Sequence, residues 1–140
     1  DPAALDQPVS LRVHVTPTDE EAKAETEHAL WFYRLLGTLV PGAPGRETVP
    51  KGYEKYPLNP DVLARLTLED VWERGTAFGS PERVIEIMKM YMDKLGARHF
   101  IVQMRIGGLE HDKVMRSMDL FTREVMPALR EEEKRLLRAS

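Results

Sequence analysis

One continuous stretch, residues 79–130, limits the possible folds of this chain more than any other part of the sequence. It opens with a helix that Ser80 is suited to cap and that Gly96 is suited to end in a left-handed conformation. An apolar strand over 99–106 follows, and a double-glycine turn at 107–108 leads into a second amphipathic helix. Helix, strand, turn and helix in this order predict the closing part of a parallel α/β structure.

The pattern within this stretch also predicts which residues are buried. The strand over 99–106 is almost continuously apolar, which is typical of a parallel strand covered on both faces. Pro127 is expected to kink or restart the last helix, because it lacks the N–H that a helix interior requires. The side chains expected to face inward from that helix recur at helical spacing: Val114, Met118, Phe121, Val125 and Leu129.

The N-terminal part of the chain predicts a strand followed by a helix. Residues 11–15 alternate between apolar and polar side chains, as a strand does, and Thr18 with Glu21 forms a capping box for the helix after it. Glu25 is expected on the exposed side of that helix, together with its other acidic residues. Residues 76–79 are long enough for a brief further strand.

Residues 41–60 contain five prolines and three glycines among mostly polar residues, which favours a loop. A loop of this length is often a mobile lid over a binding site, and an ordinary exposed connector is the alternative. The whole chain, residues 1–140, is expected to form a single segment of one domain.

Composition argues against several classes of partner. The formal net charge is −3, with acidic and basic residues interleaved, so a nucleic-acid partner is not expected. The absence of cysteine fits a cytoplasmic protein and excludes thiolate metal sites. No apolar run approaches the length of a membrane span, so no membrane partner is expected. The chain begins with Asp1 instead of Met, which suggests a segment of a longer protein.

Four short motifs, in the same order and at similar spacing, resemble the luciferase-like flavin-dependent monooxygenases. The sequence Gly79-Ser80-Pro81-Glu82 is similar to a helix start of that family, and Leu95-Gly96 resembles the entry to its last strand. The most specific match lies in the terminal helix, where Ser117-Met118-x-Leu120-Phe121 precedes Glu124-Val125-Met126-Pro127. Upstream, residues 15–22 resemble an earlier strand and helix start, and the likeness is thin between residues 40 and 59.

The resemblance implies the C-terminal part of a (β/α)8 TIM barrel, rich in helix and with two or three parallel strands in this segment. Such a barrel has about 250 residues, so the family's catalytic histidine and most FMN phosphate contacts would lie outside this chain. The implied chemistry uses reduced FMN and O₂ on an aldehyde, alkane, sulfonate or similar small substrate, with the segment inactive alone. A deazaflavin-dependent oxidoreductase of the same fold is one alternative. A non-catalytic assembly module, whose unpaired strand edges join copies into a homo-oligomer, is another.

Barrel enzymes place their chemistry at the carboxyl ends of strands, and this rule selects the candidate site residues. No residue is assigned a catalytic role. The candidates for contact with the flavin are Arg105, Gly107 and Gly108; the candidates for the substrate pocket are His14, Thr16 and Gln103.

Each candidate also has a structural alternative. The favoured interpretation of Arg105 is a salt bridge with Glu110 or Asp112, and that of the two glycines is a turn that needs positive φ. The default interpretation of His14 is a hydrogen-bonded structural role. The four histidines show no metal-ligand spacing, so no metal is expected.

Overall fold

The computed structural model describes residues 8–27, 30–39, 51–52, 60–73 and 75–139. The predicted loop at 41–60 therefore lies outside the described residues, apart from Lys51, Gly52 and the start of a helix at Pro60.

Within the described residues, three parallel strands form one sheet with the order β2-β1-β3. The strands are β1 (Val9–Val15), β2 (Thr76–Gly79) and β3 (Phe100–Gln103). The C-terminal half of β1 pairs with β2, with His14 opposite Phe78, whereas its N-terminal half pairs with β3, with Leu11 opposite Val102. Each outer strand thus covers a different half of the central strand.

Seven α-helices accompany the sheet in the described part of the chain. They are α1 (Asp19–Thr26), α2 (Leu30–Leu39), α3 (Pro60–Ala64), α4 (Leu68–Glu73), α5 (Pro81–Leu95), α6 (His111–Leu120) and α7 (Met126–Ala139). Across the described ranges, no helix combines the length and the apolar character that spanning a membrane requires.

The caps read from the sequence form the expected hydrogen bonds. Thr18 Oγ1 accepts from the backbone N–H of Glu21, and Ser80 Oγ accepts from that of Arg83. Gly96 ends α5 with a φ of 64°, in the left-handed region. These local signals determine where α1 and α5 begin and where α5 ends.

A π-helical turn, Phe121–Val125, joins α6 to α7 immediately before Pro127. The backbone N–H of Met126 donates to Phe121 O, five residues back, so the helix is widened where the proline enters. The expected local change at Pro127 is therefore a π turn between two helical segments.

The core is centred on β1, where Leu11, Val13 and Val15 are almost completely buried. They pack with Val84 and Met88 of α5 in one continuous apolar cluster. The central strand therefore supplies three side chains to the middle of the core.

The third strand differs from its prediction in both length and burial. It covers only Phe100–Gln103 of the expected 99–106, and Ile101 is 54% exposed. Burial alternates along β3, with Phe100 and Val102 partly buried and Ile101 and Gln103 exposed, so one face of this strand is open, whereas β2 at the other edge is buried throughout.

The predicted α/β class is confirmed, with parallel strands and a helix-rich chain. The sheet order adds a feature that the sequence did not predict. Successive strands are neighbours in a (β/α)8 barrel, which would place β2 between the other two strands. Here β1 occupies the middle, and α5 leads from one edge strand to the other.

Candidate functional site

A buried histidine lies near the carboxyl end of the central strand. The His14 side chain is fully buried, and its Nε2 lies 2.8 Å from Glu25 Oε2 of α1. The ring of Phe78 meets the imidazole edge-on, with 6.5 Å between ring centroids. Strand pairing and one ring contact therefore fix the imidazole on the side of the sheet that faces α1.

Glu25 extends this contact to the last third of the sequence. Its second oxygen, Oε1, accepts from Arg116 Nη2 of α6 at 2.6 Å. The carboxylate is almost buried, whereas the Arg116 side chain is 61% exposed. His14, Glu25 and Arg116 thus form a chain from the core to the surface, called here the His14–Glu25–Arg116 chain.

Burial controls the charge of the histidine. Desolvation lowers the pKa of His14 below its ordinary value of 6.5, and the nearby Glu25 carboxylate opposes this effect. A neutral imidazole carries one proton, and the contact with the carboxylate assigns that proton to Nε2. Its Nδ1 is then a buried acceptor that has no hydrogen-bond partner among the described residues.

A serine of α6 hydrogen-bonds the backbone of β1 at a position that β3 does not reach. The backbone N–H of Val15 points away from β2, and it donates to Ser117 Oγ of α6 at 2.7 Å. One position further, the N–H of Thr16 donates to Gly79 O on the β2 side. The fully buried Ser117 therefore replaces a strand neighbour for the last residue of β1.

A surface cleft of about 220 Å³ lies directly beyond these contacts. We call it the β1 cleft. Its walls come from the end of β1, from α1 and from the helix after β3, and they comprise Val15, Thr16, Pro17, Glu21, Glu25, Lys113, Arg116, Asp119, Leu120 and Arg123. Because the strands are parallel, this is the edge at which α/β proteins place their ligands.

The cations of the β1 cleft all have acidic partners. Arg116 contacts Glu25, and Lys113 Nζ lies 3.4 Å from Glu110 Oε2. Arg123 Nη2 lies 3.2 Å from Asp119 Oδ2. Only the contact with Glu25 involves a nearly buried carboxylate, so Arg116 is the cation that is held most firmly in position.

Of the predicted pocket residues, the structure brings His14 and Thr16 together at this edge. Thr16 lines the cleft, is 3% exposed, and donates its hydroxyl to Thr18 O at 2.7 Å. Gln103 lies elsewhere, because its Nε2 donates to Ser10 Oγ near the start of β1.

The three residues predicted to contact the flavin lie outside the β1 cleft. Arg105 is exposed, and among the described residues it forms no ion pair with Glu110 or Asp112. Gly107 and Gly108 have positive φ values, as a turn requires. Trp31 Nε1 of α2 donates to Gly107 O at 2.8 Å, so an indole covers this turn.

The sequence placed Glu25 on the exposed face of its helix, which is wrong, since the residue is 8% exposed. Its spacing gave a usable signal: Glu25 follows the fully buried Ala22 by three positions and therefore shares its face. Arg116 and Ser117 were also missed as site residues. Their partners are 91 and 102 positions away, and no local pattern indicates contacts of that range.

Within the described ranges, no cluster of three or more possible ligands for a metal ion occurs. Neither a scan against protein-family models nor a search of curated proteins found a match to this chain.

Proposed function

We propose that this chain is the C-terminal part of a luciferase-like, FMN-dependent monooxygenase barrel and that it contributes one wall of the substrate pocket. The ordered motifs of the sequence support the family, and the α/β architecture is compatible with it. The proposed reaction joins reduced flavin and O₂ to oxidise a small organic substrate. A deazaflavin-dependent oxidoreductase of the same fold remains the alternative.

The observation that carries the proposal is the β1 cleft and the His14–Glu25–Arg116 chain beside it. A buried, hydrogen-bonded charge at the carboxyl edge of a parallel sheet is typical of a binding site.

The strand order sets a condition on the barrel. In a complete barrel, β3 would pair with β2, and a preceding strand would occupy the edge of β1 that β3 covers here. The proposal therefore requires β3, and α6 with it, to take a new position when the rest of the barrel is present, and the cleft would then keep only its β1 and α1 walls.

The described residues do not fit a whole FMN molecule. The β1 cleft has about 220 Å³, which is below the range of about 300–1,000 Å³ for drug-sized ligands. The indole of Trp31 covers the glycine turn that was expected to approach the flavin. We therefore assign flavin binding mainly to other parts of the enzyme.

A small anion such as an alkanesulfonate fits the cleft better. Arg116 contacts Glu25 through one nitrogen, and its exposed guanidinium retains further donors. Glu25 positions this guanidinium, and His14 positions Glu25. Val15, Pro17 and Leu120 offer apolar contacts for the alkyl chain.

Titration of hexanesulfonate into the isotope-labelled chain tests this assignment by NMR. We expect saturable shifts of the Thr16 and Arg116 signals, and a loss of affinity of about tenfold in Arg116→Gln. Arg135→Gln is the matched control, because Arg135 pairs with Glu132 on α7 and does not line the cleft. Absence of saturable shifts, or equal affinity in both variants, would contradict the substrate assignment.

Titration of FMN, followed by flavin fluorescence, separately tests the assignment of flavin binding to other parts of the enzyme. We expect no saturable binding to the 140-residue chain. Tight binding would show that the chain carries a complete flavin site.

The assembly module is a second candidate, and the exposed edge strand favours it. Within the described residues, β3 has a strand neighbour on one side only, and Ile101 is half exposed. If this edge joins copies, light scattering will report a dimer or larger, and Ile101→Lys will shift the chain to a monomer. A wild-type monomer at high concentration would exclude this role.

A further inference from the structure

A second cleft lies near the amino end of β3, apart from the β1 cleft. It has about 320 Å³ and opens between α5 and α7, on the face of β3 that carries Phe100 and Val102. We call it the Met92 cleft. Its volume lies at the lower end of the range of about 300–1,000 Å³ for small-molecule sites, so a ligand with a short chain fits it.

Apolar side chains form most of this cleft. Met88 and Met92 of α5 lie on one wall and are almost completely buried, whereas Met126 and Leu129 on the other wall are partly buried. Methionine is unbranched and flexible, so these side chains allow the walls to adjust to a ligand. An aliphatic chain that displaces water from these walls buries apolar surface, which favours binding.

Arg98 brings a fixed positive charge to the cleft. Its Nη1 donates to Met92 O and Ala97 O at 3.4 and 3.3 Å, which holds the guanidinium beside the end of α5. Its other two nitrogens have no hydrogen-bond partner among the described residues, so the side chain keeps donors for a ligand.

Arg130 brings a second positive charge, and this one is not paired. Lys134 and Arg135 of the same helix each contact a glutamate three positions earlier, whereas Arg130 forms no ion pair with any described residue. Glu133 also lines the cleft and is without an ion pair in the described part of the chain. Two guanidinium groups against one carboxylate leave a net positive charge, which favours an anion.

We propose that the Met92 cleft binds a medium-chain aliphatic carboxylate. The alkyl chain packs between the methionines of α5 and Leu129 of α7, and the carboxylate accepts hydrogen bonds from Arg130 and Arg98. This site does not rest on the substrate assigned to the β1 cleft, because the two clefts share no lining residue.

Calorimetry with octanoate on the 140-residue chain tests the proposal. We expect saturable binding to the wild type and a loss of affinity of about tenfold in Arg130→Gln. Because Arg130 is exposed and has no ion pair to lose among the described residues, the thermal midpoint of unfolding should not change. Arg138→Gln, at an exposed position of the same helix and outside the cleft, is the matched control and should bind as the wild type does.

Two further probes separate the charged contacts from the apolar ones. 1-Octanol has the same chain without the charge, so it should bind to the wild type and to Arg130→Gln with equal affinity. Hexanoate is shorter by two methylene groups and should bind about tenfold more weakly than octanoate.

NMR of the chain labelled at its methionine methyl groups locates the ligand. Octanoate should shift the signals of Met88, Met92 and Met126. It should leave the signal of Met115 unchanged, because this residue is exposed on α6 and does not line the cleft.

Three results would overturn the proposal: no saturable binding of octanoate to the wild type, equal affinity in Arg130→Gln, or a loss of octanoate affinity in Arg116→Gln. The last would place the carboxylate in the β1 cleft. If hexanesulfonate fails to shift the signals of Thr16 and Arg116, the substrate assignment fails and these measurements are unaffected.

Discussion

Glu25 joins three elements through one carboxylate. It accepts from His14 of the central strand and from Arg116 of α6, while it belongs to α1. The two contacts differ in kind, since His14 is fully buried and Arg116 reaches solvent. The contribution of Glu25 to folding stability therefore comes mainly from its hydrogen bond with His14. If the carboxylate is removed, water can replace it for the exposed Arg116 but not for the buried His14.

Removal of this carboxylate should destabilise the fold. In Glu25→Ala, the His14 Nε2–H loses its acceptor in a buried place, so the free energy of unfolding should fall by about 1–3 kcal/mol. Urea denaturation measures this change. Glu27→Ala, at an exposed position of the same segment, should change stability by less than about 0.5 kcal/mol. Equal losses in the two variants would show that the buried contact contributes little.

The lowered pKa of His14 gives stability a definite dependence on pH. Because the folded state binds this proton less readily than the unfolded state, stability is complete above the ordinary pKa of 6.5 and is lost as the pH falls below it. One such group produces a slope of up to about 1.4 kcal/mol per pH unit.

Denaturation between pH 7.5 and 5.5 measures this slope above the range in which ordinary carboxylates titrate. His14→Gln should flatten it, since the amide can still donate to Glu25 but does not titrate in this range. His111→Gln, at an exposed position, should retain it. An unchanged slope in His14→Gln would refute the assignment.

At the scale of elements, α6 supplies β1 with a hydrogen-bond acceptor that a neighbouring strand would otherwise supply. Beyond Gln103, β3 no longer covers β1, and the N–H of Val15 is satisfied by a helix side chain. Ser117 therefore couples α6 to the sheet at the edge where the β1 cleft opens.

Ser117→Ala tests this coupling. The buried N–H of Val15 would lose its acceptor, which should lower the free energy of unfolding by about 1–3 kcal/mol and accelerate amide exchange at Val15. Ser10→Ala removes an exposed hydroxyl that accepts from Gln103, and it should cost less than about 0.5 kcal/mol. Slow exchange of the Val15 amide in Ser117→Ala would contradict the contact.

On the buried face of α6, the apolar pattern of the sequence predicts the wrong residue. The sequence predicted Met118 on the inner face, yet Met118 is 45% exposed and Ser117 is completely buried. Both positions fit a helical spacing from Val114, and the rule that apolar residues point inward selected the wrong one. Ser117 is buried because its hydroxyl accepts a hydrogen bond from the backbone N–H of Val15. The sequence of the helix alone does not indicate this contact.

At the scale of the whole molecule, the sequence predicts the elements better than their arrangement. Caps at Thr18 and Ser80 act over a few residues, so helix starts could be read directly. Strand order and the His14–Glu25–Arg116 chain depend on contacts between distant positions. For that reason the strand end at His14 and Thr16 was found as a candidate site, whereas Glu25 and Arg116 were not.

The central position of β1 also follows from whole-molecule packing. It has seven residues against four in each neighbour, and it is the strand that pairs with both of the others. In the 140-residue chain, its carboxyl end forms the β1 cleft together with α1 and α6. The barrel proposed above would change the neighbours of β1 and keep only the β1 and α1 walls of that cleft.

Cross-strand nuclear Overhauser effects between backbone protons test the central claim that β1 is the middle strand and carries the site. We expect contacts between β1 and β3 around Leu11 and Val102, and between β1 and β2 around His14 and Phe78. We expect none between β2 and β3 in the 140-residue chain. Backbone contacts between β2 and β3, with none between Leu11 and Val102, would instead establish the consecutive order of a barrel and contradict this account of the sheet.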